Sequence, residues 1–167
     1  PHIAVPTTSG SGSEATHFAV VYVDGVKYSM ASELLLPPFV ILDPNLTLSL
    51  PPYITAYTTM DALCQAMESF WSVGSTEESS DYSLKAVKLI LDNIRSAVNS
   101  PNINNRKALQ EAANLAGKSI NLTKTTAAHA LSYFLTSKFD LPHGHAVGLM
   151  FGWVFEQNSK VSRLSCN

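Results

Sequence analysis

The most constraining feature of this sequence is a change of hydrophobic period at Pro51. Before Pro51, short apolar runs alternate with turns rich in glycine, proline and small polar residues, which is typical of strands and loops. After it, apolar residues recur at three- and four-residue spacing, which indicates amphipathic helices. We therefore expect a small α/β part over residues 1–50, followed by a mainly α-helical part over residues 51–167.

Each part has its own predicted elements. Strands are expected over 17–23, 27–30 and 39–42, with Asp24-Gly25 as the turn between the first two. Helices are expected over 53–71, 75–99, 106–122, 126–136 and 145–157. The second helix is expected to begin with a capping box at Ser75-Thr76-Glu77-Glu78. Its predicted buried stripe is formed by Leu84, Val87, Leu91, Ile94 and Val98.

Composition excludes several classes of protein. Charged residues make up 14% of the 167 residues and apolar residues 46%, which is incompatible with a disordered chain. No stretch of about 20 residues is free of polar interruptions, so we expect no membrane span. The net charge is −2 and no basic run occurs, so we expect no nucleic-acid partner. The two cysteines form no disulfide framework, which favours a cytoplasmic protein.

Four side chains form a candidate metal-binding set. Asp61 and Gln65 are four residues apart and share one face of the first long helix. His129 and His143 lie in later segments, in a helix and in a loop respectively. Carboxylate and imidazole groups are suitable ligands for divalent iron or zinc. Spacing alone leaves another interpretation open, in which the first pair is a polar helix face and His143 is a turn residue.

The segment 6–14 reads Pro-Thr-Thr-Ser-Gly-Ser-Gly-Ser-Glu. Such a cluster of small polar residues and glycine predicts a loop whose backbone N–H groups can approach a ligand closely. With segments 36–47, 60–68 and 129–144, it carries a resemblance, in order and spacing, to the iron-containing (type III) alcohol dehydrogenase family. The resemblance implies a dehydroquinate synthase-like fold, with a Rossmann-like cofactor domain and a helical metal-binding domain. Residues 1–50 would then be the end of the cofactor domain, residues 51–167 an incomplete helical domain, and the chain an internal fragment.

The resemblance also implies roles for individual residues. The metal ligands would be Asp61, Gln65, His129 and His143. The residues in contact with NAD or NADP would be Thr7, Thr8, Ser11 and Lys27. Gln65 stands where the family usually has histidine. Tyr133 likewise replaces a histidine close to the nicotinamide, so we expect Tyr133 to act in catalysis, with His145 as a substitute proton carrier.

The pairing of Gln65 with Tyr133 resembles the branch of the family that includes phosphonoacetaldehyde reductases. In that branch Lys124, Thr125 and Thr126 would form an anion site for the substrate. We expect Thr125 or Thr126 to cap the helix that carries His129 and to leave a positive helix end facing the anion.

These features predict a metal-dependent, NAD(P)-linked alcohol dehydrogenase or aldehyde reductase for a small substrate, a homodimer in its full-length form. Two alternatives stay open. One is a metal-dependent lyase or synthase of the dehydroquinate synthase type, for which only Lys118 and Lys124 could bind a phosphorylated sugar. The other is a non-catalytic fragment.

Overall fold

The computed structural model describes residues 2–24 and 26–164. The predicted order, strands first and helices after, is confirmed. The strands are β1 (Ile3–Ala4), β2 (Phe18–Val23), β3 (Val26–Ala31) and β4 (Phe39–Val40). The helices are α1 (Asn45–Leu48), α2 (Pro52–Trp71), α3 (Glu77–Asn99), α4 (Ile103–Thr123), α5 (Ala127–Phe139) and α6 (His143–Leu164). None of the helices in the described part is long and apolar enough to cross a membrane.

The strands form two small sheets. β1 and β4 pair in parallel, with Ile3 opposite Phe39, although 34 residues lie between the two strands along the chain. β2 and β3 form an antiparallel hairpin, with Phe18 opposite Ala31. Gly25 of the predicted turn lies outside the described residues. Since two-stranded sheets are marginal alone, both need support from the helices.

Helix α4 provides that support through polar side chains. Asn114 donates a hydrogen bond to the buried carboxylate of Glu14 at 3.1 Å. The side-chain oxygen of Asn121 accepts from the backbone N–H of His17 at 2.8 Å. Between them Gly12, with a left-handed φ of 59°, touches α4 so closely that a β-carbon would collide with the backbone. The loop before β2 is thereby held against the helical part.

The helical core is built from small residues. Its buried members on α2, α3 and α4 are Ala62, Ala66, Ala86, Ile90, Ala97, Leu109, Ala112, Ala113 and Ala116. The predicted stripe on α3 is therefore partly wrong, because Leu84 and Leu91 are 56% and 62% exposed. The buried face is displaced onto alanines and serines, since small side chains allow the helices to approach closely. Large apolar residues alone identify the wrong face of α3.

Two predicted helix starts are also corrected. The capping box of α3 pairs Thr76 with Ser79, one position later than predicted, so Glu78 takes no part in it. Helix α6 begins at His143, two residues earlier than predicted. The carbonyl of Pro142 accepts a hydrogen bond from the N–H of Ala146 at 3.0 Å, so the helix starts directly after the proline. His143 is therefore a first-turn residue of a helix.

Candidate metal centre

Helix α2 presents three polar side chains on one buried face. Asp61, Gln65 and Glu68 occupy positions i, i+4 and i+7, so they lie along the same stripe of the helix. Their exposed fractions are 6%, 5% and 0%. Polar groups removed from water to this extent require partners. The partners of Asp61 and Glu68 come from the N-terminal ends of α5 and α6.

Two histidines converge on Asp61. His129 on α5 has its Nε2 atom 3.1 Å from Asp61 Oδ1, and His143 Nε2 lies 4.0 Å from the same oxygen. The three ligand atoms all lie within 4.8 Å of one another. One carboxylate oxygen and two imidazole nitrogens at this separation can surround a divalent iron or zinc ion. Asp61, His129 and His143 therefore lie together, as the sequence predicts. Their role as metal ligands stays a prediction.

Gln65 is the fourth predicted ligand, and its environment fits a metal. The side-chain oxygen is buried and has no hydrogen-bond partner among the described residues. A buried carbonyl oxygen without a hydrogen-bond partner lowers the stability of the fold by about 1–3 kcal/mol. A hydrogen-bond donor or a cation near the oxygen removes this cost. Gln65 lines the same cavity as the other three side chains, so a cation held by that set could approach its oxygen.

Glu68 was not singled out from the sequence, yet it has the largest set of hydrogen bonds at this site. Its Oε1 atom accepts from the Thr126 hydroxyl at 2.9 Å, the Ala128 N–H at 2.7 Å and the His129 N–H at 3.3 Å. Its Oε2 atom pairs with Nδ1 of His129. The signal that could have identified Glu68 is its spacing, seven residues after Asp61 and three after Gln65.

The charges at this site depend on one another. Burial alone would lower the pKa of His129, but hydrogen bonds to Asp61 and Glu68 outweigh it and raise that pKa to about 9. Burial would raise the pKa of Glu68, but the hydrogen bond with His129, that partner's charge and further donors outweigh it and lower that pKa. Without a metal, His129 is therefore held as a cation between two carboxylates.

A cavity of about 760 Å³ opens over the metal-binding set. One wall consists of Asp61, Gln65, His129, Tyr133 and His143, with Lys124 and Thr125 beside them. The other wall is formed by Ser11, Ser13, Thr16 and residues of the β2–β3 hairpin, including Phe18, Val20 and Met30. The sequence carried no signal for the hairpin residues, because only the fold brings them opposite the metal-binding set. The volume is sufficient for a small substrate together with part of a cofactor.

Several predicted residues lie elsewhere. Within the described part of the chain, the lining of this cavity includes neither Thr7, Thr8, Thr126 nor His145. His145 is exposed on the first turn of α6. The side chain of Lys27 lies outside the described residues. Of the three predicted cofactor contacts whose side chains the structure describes, Ser11 alone lines the cavity.

The expected cap of α5 is wrong. The Thr126 side chain does not cap the helix; its hydroxyl donates to Glu68 instead. Glu68 accepts from the N–H groups of Ala128 and His129, so a buried carboxylate already compensates this helix end. An anion in the cavity would therefore depend on Lys124 rather than on the helix end.

Tyr133 lies one helical turn after His129 and stacks on His143. The two rings are 6.3 Å apart between centroids and inclined by 11°. The side chain also lines the cavity. Tyr133 therefore packs on the ring of His143 at the wall of the cavity.

Comparison with known proteins agrees with this fold. Residues 55–165 match the C-terminal domain of the Fe-containing alcohol dehydrogenase family, and residues 1–44 match iron-containing alcohol dehydrogenase. The chain belongs to the iron-containing alcohol dehydrogenase family, and its fold is dehydroquinate synthase-like.

Individual relatives show how much of a family member is present. Phosphonoacetaldehyde reductase from Streptomyces viridochromogenes is 38% identical over 98% of this chain, and 1-propanol dehydrogenase from Salmonella typhimurium is 36% identical over 96%. The chain covers 42% and 44% of these two proteins, so it spans less than half their length. The crystal structure of sulfoacetaldehyde reductase from Bifidobacterium kashiwanohense in complex with NAD+ superposes with a TM-score of 0.91. That protein is 40% identical, with 95% of this chain and 43% of that one covered.

Proposed function

We propose that this chain is part of a metal-dependent, NAD(P)-linked reductase of small aldehydes that carry a phosphonate or sulfonate group. The observation that carries the proposal is the cavity, where the Asp61, His129 and His143 set lies beside Lys124. The names of the relatives support it, since two of the three proteins above are reductases of aldehydes with such an anionic group.

The domain division follows the same reasoning. We propose that residues 1–50 end a cofactor domain and that residues 51–167 belong to a metal-binding domain. Ser11 and the β2–β3 hairpin face the metal-binding set across the cavity. NAD or NADP bound between the two parts would lie against both walls. The choice between the two cofactors is usually set by an acidic or basic residue that contacts the ribose.

Each residue then has a chemical task. Asp61, His129 and His143 would hold the metal, with Gln65 as a weaker oxygen ligand. When bound, the metal supplies a Lewis acid for the aldehyde oxygen and the reduced nicotinamide supplies the hydride. Tyr133 would donate a hydrogen bond from its hydroxyl group to the substrate oxygen.

Lys124 would bind the anionic end of the substrate. Apart from the histidines, it is the one cationic side chain lining the cavity within the described residues. Lys118 lies instead over the ring of Tyr82, at 5.9 Å, beside a different cavity. A lyase for a phosphorylated sugar would need several basic groups, so this arrangement favours the reductase.

The test compares Lys124→Ala with Lys85→Ala, an exposed lysine of α3 paired with Asp81. Rates of NADH and NADPH oxidation are measured in the metal-loaded full-length protein with phosphonoacetaldehyde and with propanal. We expect Lys124→Ala to raise the KM for phosphonoacetaldehyde by roughly ten- to a hundredfold and to leave propanal unchanged, because a charge-assisted contact is lost. An equal loss on both substrates would favour an uncharged substrate. No turnover of either aldehyde with either nicotinamide would reject the reductase.

A further inference from the structure

We propose that Glu68 is a positioning residue for the metal centre, with one oxygen holding the start of α5 and the other holding the imidazole of His129. The proposal rests on the metal site proposed above and adds a residue that is not one of its four candidate ligands. It separates two tasks within one carboxylate. The two tasks are distinguishable by experiment, because they depend on different oxygens.

The first oxygen acts on the backbone. Glu68 Oε1 accepts from the N–H groups of Ala128 and His129, in the first turn of α5, and from the Thr126 hydroxyl. N–H groups in a first helical turn have no partner within the helix. A carboxylate on α2 therefore connects α5 to α2 at the residue that carries the imidazole.

The second oxygen acts on the ring. Glu68 Oε2 pairs with Nδ1 of His129, while Nε2 of the same ring faces Asp61 Oδ1 at 3.1 Å. An ionised carboxylate only accepts hydrogen bonds, so it keeps a proton on Nδ1. When the other nitrogen has lost its proton, its lone pair is directed at Asp61 and His143. Such a carboxylate–imidazole pair orients the ring and makes it a better metal donor.

A short chain of donors fixes the carboxylate itself. The indole N–H of Trp71 donates to the Thr126 hydroxyl oxygen at 3.1 Å, and that hydroxyl donates in turn to Glu68 Oε1. Glu68 is fully buried, so the carboxylate is not in contact with bulk solvent. The Thr126 hydroxyl is one of three donors to Oε1, so the N–H groups of Ala128 and His129 still hold the carboxylate when that hydroxyl is removed.

Replacing Glu68 by glutamine separates the two tasks. If the amide oxygen keeps the three donors of α5, the amide NH₂ group faces Nδ1 and can only donate to it. Nδ1 must then be an acceptor, the proton moves to Nε2, and the lone pair no longer faces Asp61. If the amide is rotated so that its oxygen accepts from Nδ1 of His129, its NH₂ group faces the N–H groups in the first turn of α5, and neither can accept.

The experiment titrates Co²⁺ into the metal-free full-length protein and records the visible absorption of the bound ion. We expect Glu68→Gln to weaken Co²⁺ binding by roughly 10- to 100-fold and also to lower the Tm of the metal-free protein, because the buried pair with His129 loses one charge. Thr126→Val removes one donor to Oε1 but leaves Oε2 in place. It should lower the Tm and change the Co²⁺ affinity by less than about threefold. Glu78→Gln makes the same chemical change at an exposed position of α3 and should alter neither quantity.

Three outcomes would overturn the proposal. The first is unchanged Co²⁺ affinity in Glu68→Gln. The second is a loss of affinity that follows the loss of Tm equally in Glu68→Gln and Thr126→Val, as a purely structural role would give. The third comes from the unmutated protein and does not depend on folding of a variant: nitrogen NMR of the Zn²⁺-loaded form should find Nδ1 of His129 protonated, and metal on Nδ1 would contradict the proposal.

A wrong assignment of the metal site itself would give a different result. Asp61→Ala removes the carboxylate at the centre of the set and leaves Glu68 in place. If Asp61→Ala still binds Co²⁺ as the unmutated protein does, the metal site is wrong. If Asp61→Ala loses Co²⁺ and Glu68→Gln does not, only the inference on Glu68 is wrong.

Discussion

His129 Nε2 and Asp61 Oδ1 meet at 3.1 Å although 68 positions separate the two residues in the sequence. Asp61 lies in the middle of α2 and His129 in the first turn of α5. His143, the first residue of α6, approaches the same oxygen. The candidate metal centre is therefore a junction of three helices, and its geometry depends on how their ends are held.

We expect Asp61→Ala to abolish stoichiometric metal binding, because it removes the only carboxylate in the set. Metal content after dialysis, measured by atomic emission, tests this. Asp92→Ala is the control, since Asp92 is an exposed residue paired with Lys88 on α3. Equal metal content in the two variants would contradict the assignment.

Gln65→His is expected to tighten metal binding, because imidazole is a better donor than an amide oxygen for iron or zinc. The buried Gln65 Oε1 has no hydrogen-bond partner in the described part of the chain, so its replacement breaks no such bond at this oxygen. Retention of metal against a weak chelator measures the effect. Unchanged retention would mean that residue 65 does not contact the metal.

Gly144→Ala is expected to loosen the site from the side of α6. A β-carbon at this position would collide with the backbone oxygen of Tyr57 on α2, so the start of α6 must move and carry His143 away from Asp61. We expect a loss of roughly 1–3 kcal/mol in the free energy of unfolding, together with weaker metal binding.

The control for this change is Gly152→Ala, further along the same helix, where a β-carbon would meet no atom of the described residues within 4 Å. Alanine has the higher helix propensity, so this variant should gain up to about 1 kcal/mol and keep its metal affinity. Urea denaturation and Co²⁺ titration give both quantities. A stable, metal-binding Gly144→Ala protein would show that the close approach of α6 to α2 is not needed.

Tyr133→Phe tests the proposed role of the hydroxyl group. The ring remains, so the stack on His143 and the metal affinity should persist. We expect the kcat for aldehyde reduction to fall by about tenfold or more if the hydroxyl donates to the substrate oxygen. Steady-state kinetics of the metal-loaded protein measure this, and an unchanged kcat would assign Tyr133 to packing alone.

Thr55→Val is expected to destabilise the helical part without affecting metal. The guanidinium of Arg106 is buried and donates to the Thr55 hydroxyl and to the Leu50 carbonyl at 3.2 Å. Removing one acceptor leaves a buried charged donor unpaired, which costs about 1–3 kcal/mol. Thr58→Val is the control, because its hydroxyl bonds only to carbonyls of its own helix. Similar unfolding free energies for the two variants would contradict this account.

Local patterns were sufficient for much of the fold. The period change at Pro51 predicts the order of strands and helices, and helix-breaking prolines and glycines place most ends within a few residues. The stripe predicted for α3 is partly wrong, because large apolar side chains do not mark the buried face of this helix. Leu84 and Leu91 are exposed, whereas Ala86 and Ile90 pack against α4, and only the distance between helices decides which face is inside.

By itself the sequence determined which residue types carry the chemistry. Asp61 and Gln65 share a helix face at four-residue spacing, and the two histidines belong to recognisable segments. The tertiary structure decided which groups meet. It brought Glu68 within hydrogen-bond distance of both the backbone N–H and the ring of His129. It also placed the β2–β3 hairpin opposite the metal-binding set and left His145 out of the cavity lining. The physical reason is that buried carboxylates and imidazoles need partners, and the packing of α2, α5 and α6, with α4 carrying the hairpin, brings those partners together across long separations in the chain.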